Sequence, residues 1–196
     1  AHLNDDITWG LIYLARLRIA QGNSQDAIVA IQEAQNIVQA YGIPRLSLVI
    51  SAHVAHMYLV TGQNQRGVDW AQEYTPLRGE NPIDHAELTL ARILMHSDKA
   101  DDVTKILHSL LEKATPTGRV RTCIEAMALL GVFHHTKGDA TNAVEWIGKA
   151  LQLAGPEGYT RLFLDEGQPL LDLLPRARRF APGLVDSIRS MEQAES

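Results

Sequence analysis

The stretch Leu129–Ala150, "LLGVFHHTKGDATNAVEWIGKA", decides the fold prediction. It opens with apolar residues at helical spacing, breaks at Gly138 and the polar Asp139, and resumes as a second apolar-periodic run. Glycine readily adopts the left-handed conformation that ends a helix, and an aspartate accepts hydrogen bonds from the first N–H groups of the next helix. The stretch therefore predicts two helices joined by a tight turn.

The same pattern occurs three more times along the chain. The copies are "LARLRIAQGNSQDAIVAIQEA" (14–34), "VAHMYLVTGQNQRGVDWAQEY" (54–74) and "LARILMHSDKADDVTKILHSL" (90–110). Their turn positions, Gly22, Gly62, Asp98 and Gly138, are separated by 40, 36 and 40 residues. The residues expected to cap the second helices are Asn23, Asn64 and Asp139. A fixed period of this length predicts a helical repeat protein.

A single hairpin cannot bury its apolar face, so repeated hairpins must stack on one another. The small residue within each first helix and the turn glycine resemble tetratricopeptide (TPR) repeats. We therefore predict an all-α, right-handed superhelix of about four TPR-like repeats and a short C-terminal capping repeat. The predicted repeats span about 5–41, 44–75, 82–114 and 117–154, followed by the capping repeat at 156–175 and a C-terminal helix at about 182–193, all in one domain, 1–196.

The composition limits the classes of function. The 196 residues are 45% hydrophobic and carry a net charge of -5, which disfavours binding to a nucleic-acid backbone. No apolar run approaches the roughly 18 residues that a membrane span needs, so we expect no membrane association. A single cysteine, Cys123, permits no internal disulfide and suits a reducing cytoplasm. We expect this cysteine to be packed in the interior.

The stretch 158–175, "GYTRLFLDEGQPLLDLLP", has two possible interpretations. Asp165 and Glu166 could be catalytic carboxylates, but adjacent side chains diverge and general acid–base work needs converging groups. Alternatively, Asp165–Gly167 occupies the turn of a shortened capping repeat, whose second helix starts at Gln168. We favour the cap, with an ion pair between Arg161 and Asp165.

The segment 137–177, "KGDATNAVEWIGKALQLAGPEGYTRLFLDEGQPLLDLLPRA", carries a family resemblance. It resembles the last repeats of the ATP-dependent transcriptional activators of the MalT or LAL type, within the LuxR family. The resemblance implies the helical sensor domain of such a regulator, with an ATPase domain before it and a helix-turn-helix after it. Because the chain has no GxxxxGK[ST] phosphate loop, we expect ATP and DNA to be bound by those other domains. This chain would need no cofactor of its own.

The repeat register predicts which side chains face the inner groove. One row, at separations of 40, 36 and 40 residues, consists of Arg16, His56, Arg92 and Val132, and an adjacent row consists of Tyr13, His53, Thr89 and Leu129. Neighbouring inner positions add Trp9, His85 and Met95. Aromatic rings stack on apolar faces while Arg and His donate hydrogen bonds, so the groove suits a sugar or an anionic effector. The alternative is that these side chains pack between repeats or face solvent.

A metal site and an enzyme are the less favoured hypotheses. His53 and His56 stand at i and i+3, but a third ligand would have to come from His85 or His96 in the next repeat. We therefore expect no bound metal. No Ser/His/Asp or Cys/His grouping stands out, and we expect no enzymatic activity.

Two functional hypotheses remain open. The first is the effector-sensing domain of a bacterial transcriptional regulator, located in the cytoplasm. It would bind a small molecule or a regulatory protein, and the full-length protein could self-associate. The second is a general TPR adaptor that docks a peptide or protein partner.

Overall fold

The computed structural model of the protein describes residues 2–42, 44–79, 82–95, 97 and 99–195. Every regular element within these ranges is a helix, which confirms the all-helical, TPR-like prediction. The helices that form the predicted repeats are α1 (His2–Ala20), α2 (Ser24–Tyr41), α3 (Pro44–Val60), α4 (Asn64–Tyr74), α5 (Asp84–Leu94), α6 (Ala100–Ala114), α7 (Val120–Thr136) and α8 (Ala140–Ala154). The C-terminal helices are α9 (Thr160–Leu164), α10 (Gln168–Leu171), α11 (Leu174–Ala177) and α12 (Pro182–Glu195). Short 3-10 helices follow α4, at Thr75–Leu77, and α11, at Arg178–Phe180.

Glycines in the left-handed conformation join the helices of the hairpins. Gly22, Gly62 and Gly138 have φ angles of 73°, 75° and 78°. In the first turn, the Gly22 N–H donates to Ile19 O at 2.9 Å, and the Asn23 N–H donates to Arg18 O at 2.8 Å. These bonds use carbonyls that the end of α1 would otherwise leave without partners. Asp98, predicted as the fourth turn position, lies outside the described residues.

The predicted caps of the second helices are confirmed at two turns and wrong at a third. Asn23 Oδ1 accepts a hydrogen bond from the Asp26 N–H at 3.2 Å, and Asp139 Oδ1 accepts one from the Asn142 N–H at 3.1 Å. Asn64 is instead the first residue of α4, because Gln63 holds the capping position without a side-chain bond. The chain therefore enters α4 one residue earlier than a cap at Asn64 would place it.

The chain forms two compact units, Ala1–Ile93 and Leu94–Ser196. In the first unit, α1 packs on α2 and α3, and α3 packs on α4. The core between α1, α2 and α3 includes Ile12, Ile31 and Ile50, each at most 3% exposed. Burying an isoleucine side chain stabilises a fold by about 1.5–3 kcal/mol, so these contacts hold the hairpins together. The assignment of residues 1–196 to a single domain stays a prediction.

The second unit is built around the α7–α8 hairpin. Ile147, Leu151 and Phe163 are fully buried in its core. Gly131 on α7 faces Ile147 so closely that a Cβ atom there would lie 2.6 Å from the isoleucine side chain. Cys123 is also buried, as expected, with its Sγ 3.7 Å from Thr115 Oγ1.

The C-terminal end of the second unit has the form of a shortened repeat. Gly167 has a φ angle of 76° and lies between α9 and α10. Arg161 Nε donates to Asp165 Oδ1 at 2.6 Å, which confirms the predicted ion pair, and Arg161 Nη1 donates to Glu195 Oε1 of α12 at 2.6 Å. Four leucines of this shortened repeat are at most 5% exposed; they are Leu170, Leu171, Leu173 and Leu174.

The second helix of this shortened repeat is nevertheless divided. The prediction of one helix from Gln168 is wrong, because α10 ends at Leu171 and α11 begins at Leu174. Pro175 occupies the first turn of α11. A proline has no N–H to bond with the carbonyl four residues earlier, and its ring clashes with that carbonyl, so one continuous helix is disfavoured.

Candidate functional site

One face of the first unit collects aromatic, imidazole and guanidinium groups from three helices. Residues at i, i+4 and i+7 lie on one side of a helix, and α1 and α5 each use this spacing. The side chains are Trp9, Tyr13 and Arg16 from α1, His53 and His56 from α3, and His85, Thr89 and Arg92 from α5. We call this set the imidazole face.

Ring contacts connect the three helices across this face. Trp9 stacks on Tyr13 with 6.2 Å between ring centroids, and its edge meets His53 at 6.3 Å. His53 and His85 stack at 3.7 Å with an angle of 24° between their planes. The His56 and His85 ring centroids are 5.8 Å apart. The predicted register therefore brings Trp9, Tyr13, His53, His56 and His85 together.

Small buried residues allow the helices to approach closely behind these rings. Ala15 on α1, Ala52 and Ala55 on α3, and Ala86 on α5 are each at most 1% exposed. An alanine adds only a methyl group between two helices, and interaxial distance depends on the side chains at the contact. The alanines thus permit the ring contacts between side chains on neighbouring helices.

The side chains at the rim of the face are exposed, whereas those in its interior are buried. Tyr13 is 59% exposed, whereas Arg92 is 8% exposed and Thr89 is fully buried. Within the described residues, His85 Nε2 and Thr89 Oγ1 are buried polar atoms without a hydrogen-bond partner. A buried polar atom without a partner is costly and uncommon. The face therefore has an open aromatic rim and an interior whose hydrogen-bonding capacity is not fully used.

The electrostatics of the interior keep its imidazoles neutral. Burial lowers the pKa of His56 well below its usual 6.5, and the nearby charges of Arg92, His53 and Arg16 lower it further. Burial also lowers the pKa of His85 well below 6.5, with further lowering by His53, His56, Arg92 and Arg16. Each charge that acts on these two imidazoles is cationic. The field at the face therefore disfavours an additional proton and favours an anion.

Met95, also predicted to line the groove, belongs to the second unit. It is partly buried and packs against the core cluster that includes Ile124 and Ile147. Its membership of a binding groove stays a prediction. The functional roles of the other predicted residues likewise stay predictions, although the structure gathers them on one face.

A buried ion pair that the sequence analysis missed holds α5 in place. Glu87 is 2% exposed, and its Oε1 accepts hydrogen bonds from Tyr74 Oη and Arg78 Nε, each at 2.8 Å. Arg78 Nη2 binds the other oxygen of the same carboxylate. Burial, and then the bond with Glu87, raise the pKa of Tyr74. The available signal was a glutamate between the apolar residues Ala86 and Leu88 of α5, since a glutamate that is buried there requires partners.

A second surface feature lies along α3, α4 and the following 3-10 helix. A cavity of about 500 Å³ is lined by Ser47, Leu48, Ser51, Trp70, Glu73, Tyr74 and Leu77. Trp70 stacks on Tyr74 at 4.8 Å with nearly parallel planes, and its indole N–H donates to Ser51 Oγ at 3.1 Å. Leu77 is 68% exposed at the rim of this cavity. We call it the outer cavity.

Two features are absent from the described parts of the chain: a cluster of metal ligands and a membrane-spanning helix. No group of three or more His, Cys, Asp or Glu residues there is arranged to hold a metal ion. His96, considered as a third ligand, lies outside the described residues. Among the described residues, no helix is both long and apolar enough to cross a bilayer.

Comparison with known proteins identifies the architecture. Residues 2–179 match the family model described as the MalT-like TPR region. Comparison with curated proteins gave no significant match, and neither did comparison with solved structures. The family match covers all of α1 to α11 and agrees with the hairpins and turn glycines described above. The chain therefore belongs to the MalT-like TPR region family.

Proposed function

We propose that this chain is the effector-sensing domain of a bacterial transcriptional regulator of the MalT/LAL type. The effector, a small molecule or a regulatory protein, binds on the imidazole face. Membership of the MalT-like TPR region family supports a regulatory helical domain, and this family is not an enzyme class. We also propose that the chain acts in the cytoplasm and has no catalytic activity. ATP, DNA and self-association would then be functions of the full-length regulator.

One observation carries the proposal. Three helices place chemically matched side chains on a single face, where a stacked Trp9–Tyr13 pair forms the rim and partly buried histidines form the floor. Binding sites combine apolar or aromatic walls with a few polar groups that fix the orientation of the ligand. Tyr13, at 59% exposed, leaves its ring accessible to a ligand at this rim.

The test compares two exposed tyrosines. We expect some compounds of a metabolite library to raise the melting temperature of the 196-residue chain, because a ligand that binds only the folded state stabilises it. The substitution Tyr13→Ala should weaken that effect, whereas Tyr41→Ala should not, since Tyr41 is 65% exposed at the end of α2 and lies outside the imidazole face. Circular dichroism of both variants checks that helicity is retained. Equal binding by wild type and Tyr13→Ala would exclude the imidazole face as the effector site.

The outer cavity supports a second candidate, a general TPR adaptor that docks a peptide. Its stacked Trp70–Tyr74 pair and its exposed Leu77 offer an apolar surface with Glu73 beside it. For this function, Leu77→Ser should abolish capture of a peptide partner and Tyr13→Ala should leave it unchanged. The reverse pattern would favour the sensor.

A further inference from the structure

We propose that the effector of the imidazole face is anionic, with a carboxylate or phosphate group bound among Arg16, His56, His85 and Thr89 and the rest of the molecule against Trp9 and Tyr13. This inference rests on the proposed function and adds the chemical class of the ligand. It separates an acid or phosphorylated metabolite from a neutral sugar, which the sequence alone could not do.

The donors come from three helices, which are linked by ring contacts. Arg16 projects from α1, His56 from α3, and His85 and Thr89 from α5, with the His56 and His85 rings 5.8 Å apart. Arginine carries only donors, and histidine can donate through a ring nitrogen in either protonation state. A set of this kind suits a ligand that presents several acceptor oxygens.

The buried atoms without partners strengthen the case. His85 Nε2 and Thr89 Oγ1 are shielded from solvent and bond with no other atom among the described residues. Thr89 is itself fully buried. Oxygen atoms of a bound carboxylate or phosphate could form hydrogen bonds with these two atoms. Binding would therefore give partners to polar atoms that have none in the free protein.

The charges around these atoms decide between an anion and a neutral ligand. The groups that lower the pKa values of both His56 and His85 are Arg16 from α1, His53 from α3 and Arg92 from α5; the two arginines are cationic, and the histidine adds positive charge only when it is protonated. No carboxylate among the described residues contributes to the two shifts. The buried carboxylate of Glu87, on the same helix as His85, is bound by Tyr74 and Arg78. The electrostatic influences on the two imidazoles are therefore positive, and positive charge favours an anionic group beside them.

This arrangement predicts proton uptake on binding. Burial and neighbouring cations hold the pKa values of His56 and His85 well below 6.5, so both are neutral in the free protein near neutral pH. A bound anion favours the charged form and raises these pKa values. Binding therefore strengthens as the pH falls, by up to about tenfold per pH unit for each proton taken up. A neutral sugar produces no such linkage.

Calorimetry of the 196-residue chain tests the inference with three probes. Sulfate is a tetrahedral dianion, oxalate is a planar dicarboxylate, and glucose is neutral. Neither dianion changes its charge between about pH 6 and pH 8, the range that brackets the usual histidine pKa. Titrations at constant ionic strength, in two buffers of different ionisation enthalpy, give the number of protons exchanged. We expect at least one dianion to bind with proton uptake and more tightly at the lower pH, and glucose to do neither.

Variants test whether His56 and His85 are the groups that take up the protons. The double substitution His56→Gln/His85→Gln keeps polar side chains but removes the titration, so proton uptake should disappear and the affinity for the dianion should lose its pH dependence. His108→Gln, an exposed histidine in the second unit, should change neither. Arg16→Gln should weaken dianion binding at both pH values and provides a test if the double variant does not fold.

Two outcomes would overturn the inference. One is the absence of dianion binding at millimolar concentrations, and the other is dianion binding without proton uptake. If glucose or another neutral library compound bound instead, in a manner that Tyr13→Ala abolished, the anionic class would be wrong and the proposed sensor would stand. If no compound bound in a Tyr13-dependent way, the sensor itself would fail.

Discussion

Gly131 and Gly10 both lie within helices, but their surroundings predict opposite effects of the same substitution. A Cβ at Gly131 would lie 2.6 Å from Ile147 and 3.2 Å from the Ala143 carbonyl oxygen, whereas a Cβ at Gly10 would meet nothing within 4 Å. Because Ile147 is fully buried, it has no space in which to retreat. We expect Gly131→Ala to destabilise the second unit by about 1–3 kcal/mol through overpacking.

Gly10→Ala is the matched control. Alanine loses less conformational entropy than glycine in a helix, so this change should stabilise the first unit by about 0.5–1 kcal/mol. Urea denaturation followed by circular dichroism measures both changes. If Gly131→Ala raised the unfolding midpoint as Gly10→Ala does, the close contact between α7 and α8 would not exist in solution.

The capping residues show how well the start of a helix can be predicted from single positions in the sequence. Asn23 and Asp139 follow their turn glycines directly, and both accept hydrogen bonds from the first turn of the next helix. Asn64 follows two residues after Gly62, and the position directly after that glycine belongs to Gln63. The offset from the glycine was therefore a better guide than the residue type, because the glycine conformation fixes where the next helix can begin.

Among the elements, α5 depends most clearly on one polar interaction. Glu87, on α5, is 2% exposed and accepts bonds from Tyr74 of α4 and from Arg78. We expect Glu87→Gln, which keeps the size but removes the charge, to cost about 1.5–3 kcal/mol, the range for hydrogen bonds to charged groups. Tyr74→Phe, which removes one bond, should cost about 0.5–1.5 kcal/mol.

A double-mutant cycle tests whether these two residues act together. Urea unfolding of the wild type, both single variants and the double variant gives their coupling energy, and contacting residues should be non-additive. Tyr41→Phe, at an exposed site, should have little effect. Strict additivity of the two changes would contradict a shared buried network.

The elements were largely predictable because helical period and turn glycine recur together. The hairpins of α1–α2, α3–α4 and α7–α8 all have their predicted turn glycine in the left-handed region. The break between α10 and α11 was missed, since the run of leucines has helical spacing on both sides of it. The bond between Tyr74 and Glu87 was missed for a different reason: it joins two elements across a loop, and periodicity carries no information about that pairing.

For the candidate site, the repeat period predicted which residues share the face, but not how their side chains contact one another or how deeply they are buried. The register placed Tyr13 beside His53 and Arg16 beside His56 on neighbouring helices. It could not show that His53 stacks on His85, a residue outside both predicted rows, or that His85 Nε2 is buried without a partner. Those features depend on side-chain direction and depth, which only the packed helices determine.

At the scale of the molecule, the imidazole face should make stability depend on pH. The pKa values of His56 and His85 lie below 6.5 in the folded chain and near 6.5 in the unfolded chain, so the unfolded chain binds protons first as the pH falls. The stability that their neutral forms allow is complete above about pH 6.5 and is lost on acidification. We expect the urea midpoint of the first unit to decrease between about pH 7.5 and pH 5.5.

Tryptophan fluorescence can report on this unit alone. Trp9 and Trp70 lie in the first unit and Trp146 in the second, so a Trp146→Phe background leaves reporters only in the first. His56→Gln/His85→Gln in this background should reduce the pH dependence, and His108→Gln should preserve it. A pH dependence identical in all three proteins would mean that other groups cause it.

The ring contacts of the imidazole face have a consequence for how this chain can be rearranged. In a repeat protein each hairpin contacts only its neighbours, so hairpins can often be added or removed without loss of the fold. Here the contacts run from Trp9 on α1 through His53 on α3 to His85 on α5. Inserting one hairpin between α2 and α3 would still give every hairpin a neighbour to pack on, but it would part Trp9 from His53. The face is thus a property of the order of the repeats, and no single repeat can be transplanted with it.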